Sequence, residues 1–150
     1  MAIVLTVLAT LTWYNPNLGG MNCDRSCAHM AAGHRVEDWW GRALACPQEF
    51  PLGTVFEIRG SRWGLADGDF ICLDRGGGVT VLQDGTVVLD LLRTSPIWQE
   101  SLIVTAYIPP AVWEQHGGEV YLELVRIPPL SLRLLGPPTL IRRDGERLAV

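Results

Sequence analysis

The N-terminal segment Met1-Ala2-Ile3-Val4-Leu5-Thr6-Val7-Leu8-Ala9-Thr10-Leu11-Thr12-Trp13-Tyr14-Asn15-Pro16 decides what kind of chain this is. Three readings compete for it. A secretory signal needs a basic start and a small-residue cleavage site, and neither is visible. A membrane-spanning helix needs about 20 apolar residues, and the apolar run stops at Thr12-Trp13-Tyr14. The β-branched residues Ile3, Val4, Thr6, Val7, Thr10 and Thr12 favour extended backbone, because a branched Cβ packs well on a pleated surface and crowds a helical turn. The segment therefore reads as a buried first strand. On that reading the chain has no secretory address and no membrane span of its own, which leaves a virion, or the cytoplasm before release, as its setting.

Working outward, a loop rich in Gly, Asn, Cys and His follows from Asn15 to Glu37, longer than compact domains usually tolerate unless it is functional or stapled. Val36 to Leu44 reads as a short helical turn. Thr54 to Arg59 and Phe70 to Asp74 alternate as strands, and Val79–Leu82 with Thr86–Leu91 flank the hairpin signal Asp84-Gly85. Ser95 to Ser101 is expected to form one helical turn behind Pro96, Leu102 to Ile108 a strand, Val112 to His116 a turn of helix and Glu119 to Ile127 a further strand. Pro128-Pro129 and Pro137-Pro138 make the tail an edge or arm, with a hairpin turn at Arg142–Glu146. Many short strands separated by turns imply a closed or nearly closed barrel.

Composition agrees with a single packed domain. The 150 residues are 48% hydrophobic and 19% charged, with 16 Gly and 10 Pro, too many for a helical bundle. Twelve basic residues, all arginine, stand against sixteen acidic ones for a net charge of −4, so no global basic field is present to hold a nucleic acid. The four cysteines are Cys23, Cys27, Cys46 and Cys72. Cys23, Cys27, His29 and His34 lie within twelve residues and are all zinc-capable, although the spacing fits no familiar zinc module. An even cysteine count fits disulfides as well, with three connectivities, free thiols are a third reading, and all three stay open.

Several motifs, taken in order, resemble the three-aspartate (3D) domain. Leu5 to Pro16 resembles its opening strand with an aromatic end, and Met30-Ala31-Ala32-Gly33 its small-residue turn. Ala43-Leu44-Ala45-Cys46-Pro47 with Phe50-Pro51-Leu52-Gly53-Thr54 resembles its Ala-x-Asp-Pro and Pro-Leu-Gly-Thr segment. Leu73-Asp74-Arg75-Gly76-Gly77 resembles its Asp-Thr-Gly-Gly, and Val88 to Leu92 its final Ile-Asp-Leu. The resemblance implies a mainly β chain built as a six-stranded double-psi β-barrel over 1–108, with a long N-terminal loop. A Pro-rich C-terminal extension over 109–150 would pack on the barrel or on a partner. That fold is shared with the catalytic domain of membrane-bound lytic transglycosylase A, with rare lipoprotein A and with expansins. The expected partner is accordingly peptidoglycan or another cell-wall polysaccharide, and no cofactor is expected.

By the same resemblance Asp90 is the acid/base and Asp74 its support. Cleaving a glycosidic bond requires a carboxylic acid with a raised pKa, and the apolar neighbours Val87, Val88, Leu89, Leu91 and Leu92 would desolvate Asp90. Arg75 is expected to keep Asp74 ionised, Gly76 and Gly77 to let a sugar approach the backbone, and Tyr14 and Trp13 to contact substrate. Trp39, Trp40 and Trp63 suit either sugar stacking or the core. Cys46 replaces the family's first aspartate. It is expected to staple to Cys72, which period-2 alternation places on the face of Asp74; a nucleophilic Cys46 beside His29 or His34 has no supporting signature. Two functions follow. One is a lytic-transglycosylase-like enzyme, and the other a non-catalytic structural or glycan-binding barrel within a larger assembly of protein subunits, such as a phage tail or virion.

Overall fold

A computed structural model of the chain describes residues 2–19, 27–115, 139–141 and 147–149. Six strands form the barrel: β1 (Ala2–Tyr14), β2 (Ala43–Ala45), β3 (Val55–Ile58), β4 (Gly68–Asp74), β5 (Val87–Leu92) and β6 (Glu100–Ile108). They run in the ring β1-β5-β2-β4-β3-β6, and β6 returns to β1 to close it. The pairs β1–β5 and β2–β4 are parallel and the other four antiparallel. Raising every strand number by three, modulo six, returns the same neighbours and the same directions. The barrel is therefore two interlocked three-strand halves related by a pseudo-two-fold, which is the double-psi arrangement.

The alternation of β1 explains why it lies at the centre of this ring. Ile3, Leu5, Val7, Ala9 and Leu11 are buried inside the barrel. They meet Leu44, Phe56, Ile58, Phe70, Val87, Leu89, Val104, Ala106 and Ile108 from the other five strands. Each fully buried aliphatic side chain contributes about 1.5–3 kcal/mol through area removed from water. Over residues 3–11 β1 pairs with β6, and over 9–14 it pairs with β5, so its last turnless stretch extends past β6. At its start, Ala2 to Val4 pair with β7 (Thr139–Ile141), which pairs in turn with β8 (Arg147–Ala149). The tail thus adds two short antiparallel strands outside the ring. The hairpin turn expected at 142–146 and the strand expected at 119–127 lie outside the described residues.

The only α-helix among the described residues is α1 (Pro110–Gln115), near the turn expected at Val112. A short 3-10 turn covers Val36–Asp38, but Ala43 and Leu44, at the end of the expected helical stretch, belong to the strand Ala43–Ala45. The helical turn expected over Ser95–Ser101 does not form: the chain bends and enters β6 at Glu100. An isolated turn is not self-supporting. Here the Arg93 guanidinium takes the Ser95 and Leu65 carbonyls instead, at 3.2 and 2.6 Å. The Asp84-Gly85 hairpin is present but short, with Leu82 N–H donating to Thr86 O at 2.8 Å and a single bridge between Val81 and Val87.

Cys46 and Cys72 form the expected disulfide, with Cα atoms 5.7 Å apart, and both are fully buried in the barrel interior. It joins the end of β2 to β4 across a sequence separation of 26. The double variant Cys46→Ala/Cys72→Ala is expected to lose about 2–4 kcal/mol of stability, because the unfolded chain regains the entropy of that loop. A lowered urea midpoint checks this; an unchanged midpoint would show that the bridge adds nothing to the barrel.

Candidate active site

The site is built on the outer face of the barrel by a β-bulge. Along β2 and β4, Ala43 pairs with Ile71 and Leu44 with Cys72, but Ala45 pairs with Asp74. Leu73 is the extra residue, and it turns Asp74 onto the face that Ala45 presents. The expectation that Asp74 shares a face with Cys72 is therefore corrected. Cys72 faces the interior, and the bulge moves Asp74 to the outside. On its other side Ala45 pairs with Asp90 of β5, and Asp90 pairs with Thr12 of β1. Directly paired residues share a face, so Asp74, Ala45, Asp90 and Thr12 form one lateral row across four strands. The small Ala45 side chain separates the two carboxylates.

The two carboxyl groups have unlike surroundings. Asp74 is a fully supported acceptor: Tyr14 Oη–H donates to Oδ2 at 2.8 Å, and the backbone N–H groups of Ala31 and Arg75 donate to Oδ1 at 2.9 Å each. The Ala31 donor comes from the turn Met30–Gly33, which closes by Gly33 N–H to Met30 O and is pinned to β4 by Ala32 N–H to Leu73 O. Gly33 sits at φ 91°, a conformation only glycine adopts cheaply. Burial, then the Asp74 charge, pushes the Tyr14 phenol far above its ordinary value, so Tyr14 stays a neutral donor.

Asp90 is half-buried and accepts one hydrogen bond, from Thr12 Oγ1 at 2.8 Å. Its carboxyl is raised above the ordinary aspartate range, chiefly by burial. The Thr12 hydrogen bond opposes the rise, and the negative charge of Asp74 adds to it. Thr12 has one proton and two acceptors in reach, Asp90 Oδ1 and Leu89 O at 3.1 Å. When Asp90 is ionised the hydroxyl donates to it. When Asp90 is protonated, the hydroxyl can accept from it and donate to Leu89 O instead. Both protonation states are thus satisfied, as a group that alternates between acid and base requires.

An apolar floor surrounds the row. Tyr14, Met30, Val36, Ala43, Ala45, Leu73, Val79 and Leu92 are buried together there, with Trp39 and Trp40 packed partly buried against them. Arg42 stacks over the Trp39 ring at 4.7 Å, and His34 meets that ring edge-on at 5.3 Å. Beside the row lies an open pocket of about 320 Å³, lined by Gln48, Glu49, Arg75, Gly76, Gly77 and Val79 among others. Val79 belongs to both, so the pocket adjoins the carboxylate face.

Other expected site residues sit elsewhere or act differently. The Arg75 guanidinium does not hold the Asp74 carboxylate; it donates to the carbonyls of Cys46, Pro47 and Phe50 at 3.1, 2.8 and 2.7 Å. Its hydrogen bond to Asp74 comes from the backbone N–H, and the guanidinium acts on that carboxylate only through space. Trp13 pairs with the interior residue Leu91 and so points away from the face that Thr12 and Tyr14 share. Cys27 is disulfide-bonded and offers no thiolate to a metal, while Cys23 lies outside the described residues. No group of three metal-capable side chains assembles among the described residues, and no helix there is long and apolar enough to cross a membrane. Thr12 and the Ala31 N–H were not singled out in the sequence; the period-2 step from Tyr14 back to Thr12 was the available signal for the first. The chain matches no protein-family model, no curated protein and no solved structure.

The raised Asp90 carboxyl has a consequence for stability. A carboxyl whose folded pKa exceeds its unfolded value destabilises the fold once ionised, and that cost vanishes below the unfolded value of about 3.9. Asp90→Asn is therefore expected to melt higher than the parent at pH 7 and to converge with it below about pH 4. A variant that melts lower at pH 7 would show that Asp90 is a structural carboxylate.

Proposed function

We propose that this barrel cleaves the glycan of a cell-wall polysaccharide such as peptidoglycan, with Asp90 as general acid and then base. The observation that carries the reading is the lateral row: one carboxyl desolvated and raised, a second held as an acceptor by three donors, and one small residue between them. A carboxyl that keeps its proton above the ordinary aspartate range can protonate a leaving glycosidic oxygen. As that bond breaks, positive charge grows on the sugar ring, and the Asp74 carboxylate is the nearby negative charge to offset it. Asp90, now ionised and steadied by Thr12, then takes the proton from the attacking hydroxyl. In a lytic transglycosylase that hydroxyl is the sugar's own 6-OH, so the product is an anhydro ring with no new reducing end. Trp39, Trp40 and the adjoining pocket provide the apolar and polar surface for neighbouring sugars.

One observation favours a second reading. The position where the 3D domain carries its first aspartate is here locked in the Cys46–Cys72 disulfide, so two carboxylates must serve where that family has three. A barrel that binds glycan in an assembly without cleaving it is the alternative.

Loss of turbidity of purified cell walls separates the two. The parent chain is expected to clear them, and Asp90→Asn to slow clearing by about 10²–10⁴-fold, the usual contribution of a general acid. Because the proton must be on Asp90, activity should persist above the ordinary aspartate range and fall as pH rises through its raised value. Equal clearing by parent and variant would overturn the catalytic assignment, and no clearing by either would leave the binding role.

A further inference from the structure

A second cluster lies in the turn between β3 and β4 and in the segment before β6. Trp63 is 74% exposed and Trp98 52% exposed. Their ring centroids are 6.1 Å apart with the planes at 78°. The Arg62 guanidinium sits over both rings, 4.8 Å from Trp63 and 4.5 Å from Trp98. Two large indoles exposed side by side, with a cation held against both by cation–π contact, form the kind of patch that marks an interaction surface.

The backbone sharpens the point. Trp63 is the one non-glycine residue with positive φ among the described residues, at φ 56°, ψ 18°. A bulky side chain is an outlier there, and such strain persists only where its surroundings fix it. They do. Ser61 N–H and Oγ–H both donate to Asp67 Oδ1 at 2.8 and 2.6 Å, and Ala66 N–H donates to Ser61 Oγ at 2.9 Å. Gly64 N–H donates to Ser61 O at 2.8 Å, and Arg62 N–H to Glu100 Oε1 at 2.8 Å. The turn is rigid, and what it presents is an indole. The Arg62 guanidinium forms no ion pair among the described residues and the residue is exposed, so its charge is accessible to an anion.

We propose that Trp63, Arg62 and Trp98 form a binding site for an acidic polysaccharide. The indole faces take the C–H face of a pyranose ring, and the Arg62 guanidinium takes a carboxylate carried on or beside that ring. This rests on the reading above that the protein works on a cell-wall polysaccharide such as peptidoglycan, whose peptide stems carry carboxylates beside the sugar rings. The site lies at the rim where β1 and β5 end. Arg93 joins the two regions, its N–H donating to Tyr14 O at 3.1 Å and its guanidinium to Leu65 O at 2.6 Å. Binding here would hold polymer against the barrel without touching the carboxylate row.

Co-sedimentation of the full chain with insoluble peptidoglycan tests this, against chitin as the neutral polymer of a similar β-1,4-linked N-acetylhexosamine. The parent chain is expected to sediment with peptidoglycan and more weakly with chitin. Trp98→Ala and Trp63→Gly should each weaken peptidoglycan binding by about tenfold, and Arg62→Gln should abolish the preference for peptidoglycan over chitin. Glycine adopts φ 56° freely, so Trp63→Gly should melt no lower than the parent. Unchanged binding in the tryptophan variants, absence of binding by the parent, or a lowered melting point of Trp63→Gly would each overturn the proposal. Clearing of cell walls by Asp90→Asn at the parental rate would sink the catalytic reading, whereas weakened sedimentation of the tryptophan variants would still support this site.

Discussion

The molecule depends on β1 being long enough to pair on both sides. Thirteen residues allow antiparallel pairing with β6 over 3–11 and parallel pairing with β5 over 9–14. Without the overhang from Thr12 to Tyr14, the C-terminal end of β5 would be paired on one side only, with β2. The ring would open there, and Asp90 would lose the strand that carries Thr12. Closure also removes the free edges that a six-stranded sheet would otherwise expose. The inward side chains Ile3, Leu5, Val7, Ala9 and Leu11 fix the register, since a slip of one residue would turn that whole set outward. The same periodicity then decides that Thr12 and Tyr14 face outward, where both carboxylates are found.

The bulge at Leu73 turns this scaffold into a site. Without it, Asp74 would follow Cys72 by strict alternation and enter an interior filled with Phe50, Phe56 and Phe70, where an ionised carboxylate has no compensation. With it, Asp74 reaches Tyr14 and two backbone N–H groups. The bulge also coincides with the staple: Cys72 precedes it, and Cys46 follows Ala45 directly. The disulfide and the Arg75 guanidinium, which gathers the carbonyls of the 46–50 turn, hold β2 against β4 where their register shifts. Positioning of the two carboxylates is thus shared by a covalent bond, a cation and a bulge, and none of these touches Asp90 itself.

How much of this is readable from residues alone varies with the range of the interaction. The strand at Ala2–Tyr14 is legible because its signal is local: β-branched residues and alternation. Asp90 is legible because a carboxylate among Val87, Val88, Leu89, Leu91 and Leu92 needs a reason to be there. The pairing of Cys46 with Cys72 is reached through period-2 alternation, yet the face that alternation assigns to Asp74 is not the one the bulged strand adopts. Cys72-Leu73-Asp74 has no feature that distinguishes a bulged strand from a regular one, and the bulge exists only against its parallel neighbour β2. The Thr12–Asp90 bond is hidden for the same reason, since parallel register between strands 78 residues apart leaves no local trace. Arg75 misleads because adjacency to Asp74 suggests an ion pair, while three carbonyls on a distant turn compete better for its fork of donors. Trp98 escapes notice because its partner Trp63 lies on another turn.

The two surface features share a physical logic that bears on how the chain would work. In both, a group is kept in an unfavourable state by rigid surroundings: Asp90 desolvated beside a like charge, and Trp63 held exposed in a left-handed turn. A raised carboxyl at 90 costs stability when ionised, and the left-handed backbone at 63 is one that glycine adopts more easily. Both are anchored to the same part of the barrel, through Tyr14 on β1 and Arg93 after β5. A polymer held at the rim by Trp63, Arg62 and Trp98 would raise the local concentration of its own chain at the carboxylate row, provided the distance is spanned. A single glycan is the simplest ligand that uses both, because it is long, repeats its ring faces and carries a charge opposite to that of Arg62.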